Sequence, residues 1–203
     1  MNPQCPSRKS DGHCFLAKLA LGALRGVFFG VAPGWVPCSV CAKEERTDMA
    51  KLLLGKPVID SLREELKGRI AALEERGVKP GLAIVRVGAR PDDLAYERTA
   101  LKRAAGLGIR ARTITLPENA SQEELMDVIA WVNSDPSIHG CLMFRPLPEQ
   151  FDEEAVCDAL DPAKDVDGIG RGSMAAVFTG RGPGYAPCTA AACIEMLDAY
   201  DIP

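Results

Sequence analysis

Apolar residues at Ile59, Leu62, Leu66, Ile70 and Leu73 step by three and four, the spacing of an amphipathic helix with one face toward a core. Gly77 supplies its stop and Pro80 blocks any restart. The pattern then changes. Leu82 to Val87 is a short apolar run rich in β-branched residues, which reads as a buried parallel strand. Gly88 to Asp93 reads as a turn, with Asp92 or Asp93 capping a helix that runs to about Gly106. Arg112 to Leu116 predicts a second strand, and Ser121-x-x-Glu124 is a capping box that opens a helix to about Asn133. Cys141 to Phe144 predicts a further strand, ended by Arg145-Pro146-Leu147-Pro148. Residues 152–160 read as helical, and 190–200 as the start of another helix with an exposed apolar face.

Helices alternating with short apolar strands imply an α/β layered domain with a mostly parallel sheet flanked by helices. Ligands of such sheets collect at the carboxyl ends of the strands. Those ends are Gly88–Tyr96 and Phe144–Pro148, so a cleft is expected between them.

Composition narrows the partners. A net charge of −4, no Lys/Arg run beyond two residues and 5% aromatics leave no footprint for a nucleic acid. No stretch has the roughly 20 apolar residues that span a bilayer, because Lys18 and Arg25 interrupt residues 15–32. Cys141, Cys157, Cys188 and Cys193 read as reduced core residues of a cytoplasmic protein. Cys38-x-x-Cys41 has a zinc-like spacing, but Cys5 and Cys14 are badly placed to complete a tetrahedral set, so no metal is expected. Residues 1–48 read as a translated leader or disordered extension. Lys43-Glu44-Glu45 can be encoded by a purine-rich, ribosome-binding-like stretch ahead of Met49.

The densest chemistry is Lys164-Asp165-Val166-Asp167-Gly168, followed by Pro187-Cys188-Thr189. If extended, that first segment puts both aspartates on one face and Val166 on the other. Such carboxylates can accept hydrogen bonds from the N–H groups of a polar heterocycle. A solvated acidic loop is the plainer alternative.

These motifs lie in a fixed order with Gly55-Lys56-Pro57, Pro80 to Gly88, Tyr96, Gly108-Ile109, Glu123-Glu124-Leu125, Asn133-Ser134-Asp135, His139-Gly140 and Pro146-Leu147-Pro148. The ordered set resembles the amino-terminal, folate-binding half of bifunctional methylenetetrahydrofolate dehydrogenase/methenyltetrahydrofolate cyclohydrolase. The resemblance divides the chain into 49–170, a folate-binding catalytic domain, and 171–203, a linker and first helix leading to a largely missing Rossmann-type domain. It implies one-carbon metabolism in purine biosynthesis, tetrahydrofolate derivatives as ligands, a cytoplasmic homodimer, and NADP or NAD bound by the missing domain.

Carried over by position, the resemblance makes Tyr96 the tyrosine that packs on the folate ring and Asp167 the aspartate that holds the pterin. Pro146, Leu147, Pro187, Cys188 and Thr189 complete the substrate-binding set. Tyr96 has core packing as its alternative, and Thr189 has a helix cap. The family's proton-carrying lysine, four residues after the tyrosine, is Ala100 here; the glutamine that orients it is Phe144; a serine three residues before the tyrosine is Asp93. Lys102, the nearest replacement lysine, joins Tyr96 as a catalytic candidate. At about 100° per residue it lies roughly 200° around a helix from Tyr96, and it is expected to point away. Asp93 and Arg145 are candidate new polar members of the site, Asp93 otherwise serving as a cap. The expectation is therefore a dehydrogenase whose cyclohydrolase step is weak or lost. A non-catalytic folate-binding or regulatory paralogue is the alternative, and a structural partner that dimerises with an intact enzyme is a third.

Overall fold

The computed structural model describes residues 51–203; the readings made on residues 1–48, the Cys38-x-x-Cys41 pair included, lie outside them. Helix α1 (Gly55–Glu75) places Val58, Leu62, Leu66 and Ile70 on its buried stripe. It ends as the glycine predicts, with Gly77 at φ +78°. Strand β1 (Gly81–Val87) is buried along all seven residues. It pairs in parallel with β2 (Arg110–Leu116) on one side and β3 (Gly140–Met143) on the other, giving the order β2-β1-β3.

Alternation along β1 sends side chains into two cores. Ala83, Val85 and Val87 join Leu125, Ile129 and Val132 of α3 (Gln122–Ser134) and Val156 of α4 (Glu153–Ala159). Leu82 and Ile84 face the other way, toward Leu66 and Ile70 of α1 and Ala104 of α2 (Pro91–Gly106). Phe144 and Val166 belong to this second core. The predicted α/β layering with a parallel sheet is therefore present among the described residues.

Local chemistry explains most boundaries. The capping box at Ser121 is closed in both directions: Glu124 N donates to Ser121 Oγ at 3.1 Å, and Ser121 N to Glu124 Oε2 at 2.7 Å. Helix α2 corrects the predicted cap. It starts at Pro91, whose fixed φ and missing N–H suit a first turn, and Arg90 is the N-cap residue. Asp93 instead accepts both Arg90 Nε and Nη2 at 3.0 Å.

Residues 171–179, read as linker, form a helix, α5 (Arg171–Thr179), closed by Gly180 at φ +67°. Its one fully buried residue is Ser173, so no apolar stripe marks it. Helix α6 (Cys188–Ala199) packs Ala192 and Met196 against Val58 and Leu62 of α1. Its apolar surface is thus partly covered, with Ile194 left exposed. The Tyr200 hydroxyl donates to the Leu54 carbonyl and accepts from the Leu54 amide, both at 3.0 Å. Cys193 is exposed, against expectation, while Cys141, Cys157 and Cys188 are buried. No helix among the described residues is long and apolar enough to cross a membrane.

Candidate functional site

Three segments leave the carboxyl edge of the sheet together. The first turns at Gly88, φ +72°, into α2 and carries Tyr96. The second leaves β3 at Phe144. The third is Lys164 to Gly168, bridged in parallel to β3 through Cys141 and Asp165.

Tyr96 and Phe144 meet edge to face, with ring centroids 5.4 Å apart and planes at 73°. Phe144 is buried, while Tyr96 keeps 38% of its surface exposed. Ala100, one helical turn beyond Tyr96, packs into the same apolar cluster as Phe144 and Val166. The positions the resemblance assigns to a lysine and a glutamine are therefore both apolar, and both lie in one packed cluster.

The Lys164–Gly168 segment is not extended, which corrects the expectation that both aspartates share a face. It makes a single bridge at Asp165 and then turns. Lys164 Nζ donates to the carbonyls of Val132, Asn133 and Asp135, each at 2.8 Å, tying the segment to the end of α3. The Asp165 side chain is buried and accepts from Ile169 N at 3.1 Å, Gly170 N at 2.9 Å and Ser173 Oγ at 2.7 Å. Asp165 is thus an internal anchor, and forming those bonds requires the chain to turn. Asp167 is left half-buried beside Tyr96 and Cys188.

Gly168 lets the turn close. Its φ is +63°, and a Cβ there would run into the Tyr185 carbonyl and the backbone of Ala186 and Pro187. This contact seats Pro187-Cys188-Thr189 against the acidic segment. Cys188 Sγ, buried, donates to the Val166 carbonyl at 3.3 Å and lies within hydrogen-bonding reach of the Asp167 carboxylate. Pro187 is the N-cap residue of α6, so Thr189 is exposed inside the helix and does not cap it.

Burial pushes the Asp167 carboxyl above the ordinary range, Asp165 adding to the shift while the Cys188 thiol and Arg145 oppose it. The Tyr96 phenol is raised as well, first by burial and then by the negative charge of Asp167 and by Cys188, with Arg103 opposing. The site consequently holds a carboxyl that favours its protonated form more than an exposed aspartate does.

Arg145 is exposed and pairs with Glu153 at 3.2 Å; its bond to Pro146 is cis. Pro146 is exposed, and Leu147 turns toward the α3–α4 core while its amide donates to Glu153 Oε2 at 2.8 Å. Lys102 is exposed, as its register predicts. Arg103 was not singled out by the sequence, yet its charge acts on Tyr96. Its spacing, seven residues after Tyr96 and hence on the same helical face, is the signal that finds it.

Among the described residues, the glycine-rich stretch forms no Rossmann-type phosphate turn. The glycines from 180 to 184 lie in the loop between α5 and α6, with no strand before them and no Gly-x-Gly-x-x-Gly phosphate turn.

The sequence profile described as tetrahydrofolate dehydrogenase/cyclohydrolase, catalytic domain, matches residues 53–167. A curated relative from Alkaliphilus oremlandii, bifunctional protein FolD, is 43% identical over 154 residues, covering 76% of this chain and 54% of the relative. The chain spans about half the length of the curated relatives it matches. Among solved structures, the bifunctional FolD methylenetetrahydrofolate dehydrogenase/cyclohydrolase of Campylobacter jejuni superposes with a TM-score of 0.72 at 32% identity, over 75% of this chain and 54% of that one. The Trypanosoma brucei methylenetetrahydrofolate dehydrogenase-cyclohydrolase, complexed with NADP cofactor and inhibitor, gives 0.69 at 32% identity, over 75% and 52%.

Proposed function

Because the chain belongs to the tetrahydrofolate dehydrogenase/cyclohydrolase family, we propose that it forms the folate-binding side of an enzyme that oxidises 5,10-methylenetetrahydrofolate to the 5,10-methenyl form, with little or no hydrolysis to 10-formyltetrahydrofolate. The observation that carries this reading is the apolar cluster of Ala100 and Phe144 directly behind Tyr96. The exposed Tyr96 ring stacks on the ligand's heterocycle, and Asp167 accepts hydrogen bonds from its N–H groups. Pro146 and Leu147 on one rim and Pro187, Cys188 and Thr189 on the other bound the same ligand.

Oxidation moves a hydride between two positioned carbons and asks this side of the site for placement more than for an acid or base. Opening the methenyl ring with water is different, because a proton must leave the attacking water and another must reach the departing nitrogen. Neither Ala100 nor Phe144 can carry one. The hydride acceptor in this reading is NADP or NAD, held by residues other than those described. A cytoplasmic homodimer serving purine biosynthesis is consistent with the kinship.

The test uses the 203-residue chain with 5,10-methenyltetrahydrofolate. The expected result is saturable binding, with hydrolysis close to the rate in buffer alone. Failure to bind would overturn the reading. Hydrolysis as fast as by a relative bearing the lysine would overturn its second half, and Lys102→Ala would then show whether Lys102 carries the proton. A second reading, a folate-binding regulator without catalysis, is favoured by the same apolar cluster. It requires that oxidation be absent even when the whole enzyme is supplied with NADP or NAD.

A further inference from the structure

Arg86 is a charged residue in a strand whose seven positions are all buried. It points to the same side of the sheet as Leu82 and Ile84, toward α2. Its side chain is 8% exposed, and that of its partner Glu97 is 14%. Arg86 Nε donates to Glu97 Oε2 at 2.7 Å, Nη1 donates to the Gly88 carbonyl, and Nη2 donates to Thr115 Oγ1 at 3.3 Å. One guanidinium therefore ties the end of β1, the turn that leaves it, the neighbouring strand and α2.

Helix α2 needs such a tie. Its one fully buried residue is Ala104, near the carboxyl end. The amino-terminal half, which carries Tyr96, has only partly buried side chains such as Leu94 against the rest of the molecule. Glu97 is the next residue after Tyr96, so the ion pair fixes the helix where the aromatic ring leaves it. On the outer side Arg90 and Asp93 close the same turn.

We infer that Arg86 and Glu97 are positioning residues for the folate site: their buried ion pair sets where α2, and with it the Tyr96 ring, stands against Phe144. This rests on the proposed folate-binding role only for the ligand itself. An ion pair serving stability alone would leave the Tyr96 ring where it is. A bidentate-capable planar cation is suited to the task because it holds several acceptors in a fixed fork, which a lysine cannot do.

The experiment follows tyrosine ring resonances in the full 203-residue chain labelled at tyrosine. The chain has three tyrosines, and Tyr96→Phe assigns the signal of interest. Glu97→Gln keeps the shape and removes the charge. The expected result is a Tyr96 signal shifted away from its Phe144-influenced position, with Tyr185 and Tyr200 unmoved. Affinity for 5,10-methenyltetrahydrofolate should fall about tenfold, since small misplacements of a contact group weaken binding steeply. Glu97→Asp, which restores the charge, should recover part of both. Thr115→Val, which removes only the longest of the three bonds, gives a smaller shift in the same direction and serves if Glu97→Gln does not fold. A less stable protein with unmoved Tyr96 signals and unchanged affinity would overturn the inference. A Tyr96 shift in a chain that binds no folate supports the positioning and counts against the proposed function instead.

Discussion

Tyr96 and Phe144 meet edge to face, 5.4 Å between centroids, so the exposed Tyr96 ring is backed by one that is buried. Behind them Ala100 completes an apolar wall. Replacing the wall with the pair that the family resemblance assigns to those positions, Ala100→Lys with Phe144→Gln, should introduce a proton carrier beside the ligand. The expected outcome is hydrolysis of 5,10-methenyltetrahydrofolate raised by about 10²-fold or more over the natural chain, the usual range for a placed acid–base group. Loss of ligand absorbance with time measures it. No gain from the double change, in a chain that still binds the ligand, would mean that hydrolysis is not limited by these two positions.

Lys164 holds the acidic segment to α3 through three carbonyls. Lys164→Met keeps the aliphatic stem and deletes the donors. It is expected to cost about 2–4 kcal/mol in urea unfolding, because charge-assisted bonds are lost and partly buried carbonyls go unmatched. An effect under about 0.5 kcal/mol would show that water replaces the ammonium without penalty.

Asp167 has a carboxyl raised above its unfolded value. The folded state therefore holds its proton more tightly than the unfolded chain, and this contribution to stability is lost as pH rises through the interval between the two values. Asp167→Asn should unfold at a higher temperature than the natural chain at neutral pH, with the advantage shrinking as pH falls toward about 4, the unfolded value, and absent below it. Ligand affinity should move the other way, falling in the variant at neutral pH. A thermal difference that grows on acidification would contradict the raised carboxyl.

Gly168 occupies a left-handed conformation with the backbone of residues 185–187 where a Cβ would stand. Gly168→Ala adds about 1–2 kcal/mol from the conformation alone, before the collision with Tyr185 and Pro187. The expected result is a displaced Pro187-Cys188-Thr189 segment, read as faster alkylation of the otherwise buried Cys188. The Cys141 thiol, pushed up to about 12 mainly by burial, should stay unreactive in the same experiment and serves as the internal control.

Much of this was legible in the sequence because the signals were local. The period of α1, the closed capping box at Ser121 and the glycine stop at Gly77 each depend on residues within a turn or two of each other. Pro91 was the better marker for the start of α2 than either aspartate, since Asp93 found a stronger partner in Arg90. Helix α5 left no trace in the pattern because only Ser173, a polar residue, is buried on it. Ser173 is buried there because Asp165 needs its hydroxyl.

The division of labour between Asp165 and Asp167 was equally hidden. It follows from the amides of Ile169 and Gly170 turning back on Asp165, a choice no alternation rule contains. Tyr96 and Asp167 were named from the motifs, whereas the Arg86–Glu97 tie required the strand and helix to be placed side by side.

The seam between α1 and α6 also bears on the order in which the molecule can be made. Val58 and Leu62 find their cover in Ala192 and Met196, and Leu54 finds its partner in the Tyr200 hydroxyl, 146 positions later. On the ribosome, the sheet and its two cores can assemble while those early apolar side chains still face water. They are sheltered only when α6 emerges. This stretch of α1 is thus a place where a nascent chain would be expected to engage a chaperone, protected later than the two sheet cores.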